Sequence, residues 1–270
     1  MGGALGTFGA FGLLGLPAFA DSEGSVFPAS ATQGAMVIGK LAKGFSARYG
    51  GRDLRATPYG SVVFGIGRNE TDSVSVELTD TNGRTQAISI TVTARDFPTE
   101  VVSGVPPKTV NPPPEIAARI AREQARVAAA RERDDDRADF AEKFIWPVRG
   151  RISGRFGNQR VYNGKPGSGH SGMDIAVATG TPVKAPASGI ISFADQDLYL
   201  TGGTVLLDHG HGVSSNFLHL SRIDAKLGER IQQGEVFAAA GSSGRASGPH
   251  LHWGMSWFDV RVDPQLLVDA

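Results

Sequence analysis

The chain contains no cysteine in its 270 residues. No disulfide can staple the fold, so neither an oxidising nor a reducing compartment is demanded by it. The same absence limits the chemistry. No thiolate nucleophile exists, and any metal must be held by nitrogen and oxygen ligands. Net charge is also absent, because 27 Lys and Arg balance 27 Asp and Glu. That removes a global attraction to nucleic acid or to an anionic membrane, and nucleic acid is not an expected partner. Histidine is missing from the first 169 residues, and all six histidines lie between 170 and 252. Charge is missing altogether from residues 1–20.

That uncharged start, MGGALGTFGAFGLLGLPAFA, holds an apolar stretch as long as the hydrophobic region of an export signal. Ala18-Phe19-Ala20 before Asp21 has the small-residue pattern of a cleavage site. Glycines and Pro17 interrupt the stretch too often for a membrane span, and no basic residue precedes it. The expectation is an exported protein with a signal-like segment at 1–20 and no integral membrane segment in the mature chain.

What the chain has in abundance is glycine, 36 residues, alongside 40% hydrophobic content. That mixture suits a protein dominated by strands and turns. Within 21–104, Val74, Val76 and Leu78 alternate with polar residues, as do Ile88, Ile90 and Val92. Asn82-Gly83 between them is the favoured pair for a tight hairpin turn. MVIG and SVVFGIG add further short strands, so a small β-sandwich-like module is expected, acting as a spacer or binding module. Five prolines in VPPKTVNPPP then predict a stiff linker. From Glu115 to about Arg133 the Ala, Arg and Glu content predicts a helix, with Ile116, Ile120 and Val127 on one side. Residues 115–143 carry eight acidic and seven basic side chains, the balance of a solvated connecting helix. A second reading lays this helix over the following domain, where it controls access. Residues 105–144 are thus taken as linker and charged helix, and 145–270 as an antiparallel β domain built from short apolar runs and glycine turns.

All the histidines fall in that last domain. In GPHLHWGM, strand periodicity puts His250, His252 and Gly254 on one face and Leu251, Trp253 and Met255 on the other. The second face suits a core, and the first suits a cleft. His170 and Asp174 stand four apart in GSGHSGMDIAV, where glycines argue for a loop entering a strand rather than a helix. His219 ends VSSNFLHL, with Val213, Ser215 and Phe217 expected on its own face. A catalytic zinc takes three ligands and keeps a fourth position open. Two histidines and an aspartate would serve, leaving two histidines for proton transfer and oxyanion stabilisation. His209 and His211, in LDHGHGV, form a competing pair at an expected hairpin tip, a poor platform for ligands.

The motifs His170-Ser-Gly-Met-Asp174, Phe217-Leu-His219-Leu and Gly248-Pro-His250-Leu-His252-Trp resemble the three signatures of the M23 peptidases, the lysostaphin/LytM-type zinc endopeptidases of peptidoglycan. The resemblance runs over roughly residues 145–265, including ATGTPVKAPASG and GERIQQGEVFAAAGSSGRASGPH. It implies one zinc ion held by His170, Asp174 and His252, with His219 and His250 as catalytic residues. It implies peptidoglycan as substrate, and the bacterial periplasm or cell envelope as location. The β module is then a candidate contact for a wall or divisome partner. Some relatives in the family lack zinc ligands and activate other wall hydrolases, so a non-catalytic activator is the rival function. Retention of all five residues favours the enzyme. GERIQQGEVFAAAG also resembles biotinyl and lipoyl carrier domains, but the candidate hairpin tip, DHGHG, has no lysine to carry the group.

Overall fold

The computed structural model describes residues 19–22, 24–102 and 111–269. Residues 1–18 of the signal-like segment and the first half of the proline run lie outside the described residues. No helix among the described residues is long and apolar enough to cross a membrane.

The N-terminal strands form two sheets. One has the order Phe19–Ser22, Ser25–Pro28, Met36–Lys40, Ser61–Gly65. The other runs Ser30–Thr32, Thr85–Thr93, Ser73–Thr79, Ser46–Tyr49, Arg52–Leu54. The alternation read from the sequence sorts cleanly: Val76, Leu78 and Ile90 are fully buried while their polar neighbours are exposed. The connection between the two long strands is wider than a two-residue turn. Thr79 pairs with Thr85, and Asp80 closes the loop by accepting from the backbone N–H of Asn82 and Arg84. Gly83 still takes the left-handed conformation, with φ of 79°.

The C-terminal body is one large antiparallel sheet. Its order is Arg151–Gly154, Gly172–Ala176, His250–Trp257, Val213–Leu220, Gly202–Asp208, Gly189–Leu198, Arg230–Ile231, with Val260–Val262 paired to the His250 strand. A smaller sheet of Pro182–Lys184, Val236–Ala239 and Arg222–Ile223 packs beside it. Leu251, Trp253, Met255, Met173, Ile175 and Phe217 are fully buried between these layers. The N-terminal sheets share this core. Tyr49 and Phe64 stack on Trp257 at ring separations of 5.8 and 6.5 Å, and Arg95 pairs with buried Asp263 at 2.7 Å. Strand Thr99–Val102 adds in parallel to Gln159–Tyr162.

The helix spans Pro114–Arg131, opening with proline at its first position, where the missing N–H costs nothing. None of its residues is fully buried, but it does not float in solvent. Val127 and Ala130 pack on Phe193, Leu198 and Leu206. Arg119 pairs with Asp197 at 3.1 Å, Arg126 with Asp195 at 2.9 Å, and Glu123 accepts from the Tyr199 N–H at 2.8 Å. The helix is therefore a fixed wall along one side of the sheet, nearer to the second sequence reading than to a solvated connector. The segment after it is locked down as well. Arg137 bonds both Asp139 and buried Asp208, and Arg230 reaches Asp139 at 2.7 Å.

Candidate active site

The Gly172–Ala176 strand pairs with His250–Trp257 so that Asp174 faces His252 and Met173 faces Trp253. The period of two then separates the chemistry from the core, as the sequence implied. His170 sits in the turn just before this strand, tied to the neighbouring loop by its N–H to the Asn158 carbonyl at 2.8 Å. Gly172 leaves space for His252, since a Cβ there would lie 2.9 Å from His252 Nε2 and 2.5 Å from the Trp253 carbonyl oxygen.

Three ligand-type atoms meet at this point. His170 Nε2 is 3.1 Å from Asp174 Oδ1 and 3.1 Å from His252 Nδ1. His252 Nδ1 is 2.8 Å from Asp174 Oδ1. All three residues are buried, and they form the metal-competent cluster found among the described residues. His170 Nδ1 donates to the Arg155 carbonyl at 3.0 Å, which leaves a lone pair on Nε2 aimed at the other two atoms. Converging lone pairs repel unless a proton or a cation sits among them. His252 Nε2 is itself buried without a hydrogen-bond partner. Two nitrogens and one oxygen, with no sulfur, suit zinc, and the residues present fit that ion. Burial drives His252 down to about 3, against the pull of Asp174, so it stays neutral and ligand-ready. Burial would raise Asp174, but its close contact with the His170 and His252 rings outweighs burial and holds the carboxyl well below the ordinary range.

His219 and His250 lie beside the cluster, with ring centroids 4.8 Å apart. His219 Nδ1 donates to the Ser243 carbonyl at 2.8 Å, and His250 Nδ1 to the Gly248 carbonyl at 2.8 Å. Both Nε2 atoms are therefore free to accept a proton. His250 Nε2 is 3.8 Å from Asp174 Oδ1. Burial, helped by the charge of His250, lowers His219 to about 4.

One sequence expectation is corrected here. His219 does not share a face with Val213, Ser215 and Phe217. Its backbone is left-handed, with φ of 62°, and the pairing register shifts between Val205 and Gly203 opposite it. That irregularity turns the imidazole onto the side of Asn216 and Leu218, where it lines the cleft. The competing pair is also resolved. His209 is fully buried, bonded to the Ser188 carbonyl at 2.7 Å and near Ser215 Oγ at 2.9 Å. His211 donates to the Arg55 carbonyl at 2.9 Å. Neither belongs to the ligand cluster, and the expected flexible tip is a packed seam.

Several cleft residues carried no motif. Arg160, on the strand Gln159–Tyr162, bonds Asp174 Oδ2 at 2.5 Å and approaches Glu100 at 3.5 Å. It holds the outer carboxylate oxygen and leaves Oδ1 for the cluster. The cleft has a volume of about 830 Å³, and its opposite wall includes Ile120, Glu123, Val127 and Arg131 of the helix.

The sequence profile described as peptidase family M23 matches residues 168–264. A crystal structure from Pseudomonas aeruginosa assigned to peptidase M23 is similar at a TM-score of 0.69 and 31% identity, covering 88% of this chain and 94% of that one. Cell division protein DipM of Caulobacter vibrioides is 31% identical over 160 residues, 59% of this chain and 25% of that protein. The peptidoglycan DD-endopeptidase ShyA of Vibrio cholerae is 35% identical over 104 residues, 38% of this chain and 24% of that protein. The chain spans about a quarter of the length of these curated relatives.

Proposed function

The chain belongs to peptidase family M23, and on that footing we propose that it is a zinc-dependent endopeptidase cutting amide bonds in the peptide stems or cross-links of peptidoglycan. The observation that carries this reading is the convergence of His170 Nε2, Asp174 Oδ1 and His252 Nδ1 beside two histidines with free Nε2 atoms. The name of ShyA, a peptidoglycan DD-endopeptidase, supports the substrate class. An exported protein of the bacterial cell envelope follows from that substrate.

His170, Asp174 and His252 would hold the zinc, which when bound polarises the scissile carbonyl and acidifies a water. The remaining work falls to the protein. Arg160 fixes the Asp174 carboxylate, so the ligand oxygen does not rotate away. His170 is locked in one tautomer by the Arg155 carbonyl. His250 and His219 each leave Nε2 open toward the cleft, and one of them takes the proton of the attacking water. Once protonated it becomes a donor, able to stabilise the oxyanion and return the proton to the leaving amine. The Ser243 and Gly248 carbonyls keep both rings pointed at the cleft throughout.

Metal analysis of the purified protein, followed by digestion of peptidoglycan of defined cross-link and mass identification of the fragments, tests this reading. Bound zinc and new amine termini are expected. A protein that neither takes up zinc nor cleaves, yet stimulates a separate amidase, would replace the enzyme with an activator.

A further inference from the structure

Of the four arginines lining the cleft, Arg160 bonds Asp174 and Arg245 lies over the Tyr162 ring, which leaves Arg131 and Arg261. Arg131 closes the wall helix, and Arg261 lies on the strand Val260–Val262 at the edge of the same sheet. Both line the cleft together with His219, His250 and His252. Arg131 Nε is buried with no hydrogen-bond partner, and no carboxylate pairs with Arg131 among the described residues. Among the described residues, the hydrogen bond of the Arg261 side chain is one long contact, from Nη1 to Asn216 Oδ1 at 3.4 Å. The charge of Asp259 acts on Arg261 without forming an ion pair.

Every acid in the cleft wall is already engaged. Glu123 bonds Arg119 and the Tyr199 N–H. Glu100 bonds Asn158 and faces Arg160, and Asp174 belongs to the ligand cluster. Burial, reinforced by the positive charge of Arg261, pulls Arg131 down to about 9. Two half-buried guanidinium groups thus line one cleft, and none of the three acids in its wall pairs with either. Folding does not place unpaired cations together without cost, and an arriving anion removes that cost.

The register of the sheet gives their position relative to the chemistry. Asp174, His252 and Leu218 form one cross-strand row. The next row on the same face is Gly172, Gly254 and Asn216. Arg261 pairs with Ser256, one row further, and its guanidinium reaches back to Asn216. One same-face step is about 7 Å along a strand, and an extended peptide covers that in about two residues. The intervening row is floored by two glycines, so a chain can lie flat across it.

We propose that Arg131 and Arg261 form a carboxylate-binding subsite, which selects peptides bearing a free carboxylate about two residues from the bond to be cut. The subsite deepens the peptidoglycan reading and rests on it for the identity of the peptide. The planar fork of arginine suits a carboxylate held by parallel hydrogen bonds. The carboxylate comes either from the end of a stem peptide or from an acidic side chain within it.

The test uses the full chain stripped of metal by a chelator, so that binding is read without turnover. Calorimetry compares a synthetic stem tetrapeptide ending in a free carboxylate, the same peptide as its terminal amide, and the same peptide with its side-chain carboxylate amidated. The wild type is expected to bind the fully ionised peptide about tenfold more tightly than whichever amide removes the recognised group. R131M and R261M are each expected to abolish that preference, while R131K retains part of it. Folding is monitored in parallel, and R131M should unfold at no lower temperature than the wild type, because it removes an unpaired buried charge. Equal binding of all three peptides by the wild type would overturn the subsite, as would an undiminished preference in both methionine variants. Peptidoglycan digestion by zinc-loaded wild type separates the two proposals. Cleavage without carboxylate preference leaves the enzyme and removes the subsite. Arginine-dependent binding without cleavage does the reverse.

Discussion

Replacing Asp174 with asparagine separates the two jobs of that carboxylate. In the absence of metal, the amide fits the pocket well. Its oxygen can accept from Arg160, which now contacts Oδ2 at 2.5 Å, and its NH2 group can donate toward the lone pair on His170 Nε2, 3.1 Å from Oδ1. An ion pair becomes a hydrogen bond from a charged guanidinium to a neutral amide oxygen, and Arg160 still has Glu100 at 3.5 Å. The expected cost in chelator is therefore only about 1 kcal/mol. Zinc reverses the comparison. The NH2 group then occupies the position of the third ligand and repels a dication. The wild type should gain about 4 kcal/mol at a thousandfold excess of zinc over its dissociation constant, and D174N should gain almost nothing. Guanidinium denaturation with and without zinc measures both numbers. Equal zinc stabilisation of the two proteins would refute the assignment of Asp174 as a ligand. A loss of several kcal/mol in chelator would refute the account of how Arg160 is satisfied.

Other substitutions probe separate parts of the structure. H170A and H252A should lose zinc by metal analysis, whereas H219A should retain it and lose about 100-fold or more of its peptidoglycan hydrolysis rate, because His219 touches none of the ligand atoms directly. His209 is fully buried and pushed down to about 4 by burial, below its unfolded value, so the unfolded chain binds the extra proton between about pH 6.5 and 4. Stability should fall as pH drops through that window, by on the order of 3 kcal/mol from this group, and the slope in denaturation curves should flatten in H209Q. W257A removes the ring against which Tyr49 and Phe64 stack, and should cost about 3–5 kcal/mol in denaturant unfolding.

The parts of the site that a period of two can express were legible in the sequence. His250 and His252 alternate with Leu251 and Trp253, so the strand itself divides cleft from core. His170 and Asp174 could be drawn together because glycines ruled out a helix and left a loop entering a strand. His219 escaped the same reasoning. Its face depends on one left-handed residue and a register slip opposite it, and neither leaves a mark in a string of side chains. His209 and His211 do lie at the tip between two paired strands and outside the ligand cluster, but LDHGHGV carries every local sign of an open turn and the tip is buried. What buries them is Phe140, Phe144 and the charged segment 133–139, more than sixty residues upstream. Arg131, Arg160 and Arg261 belong to the same class. Each is an ordinary arginine until the fold brings distant elements around one cleft. The linker helix was placed by composition, but its docking rests on pairs such as Arg119 with Asp197, which only the tertiary structure defines.

Because one wall of the cleft is made by residues 120–131, the width of the cleft is not a property of the sheet that carries the histidines. Under the proposed function the helix acts as a gauge for what enters the cleft. Changing its length, or the side chain at its last turn, would then alter which peptides fit while leaving the histidines on the sheet untouched. Selectivity and chemistry can then diverge independently within one chain, through substitutions in a segment that carries no signature motif at all.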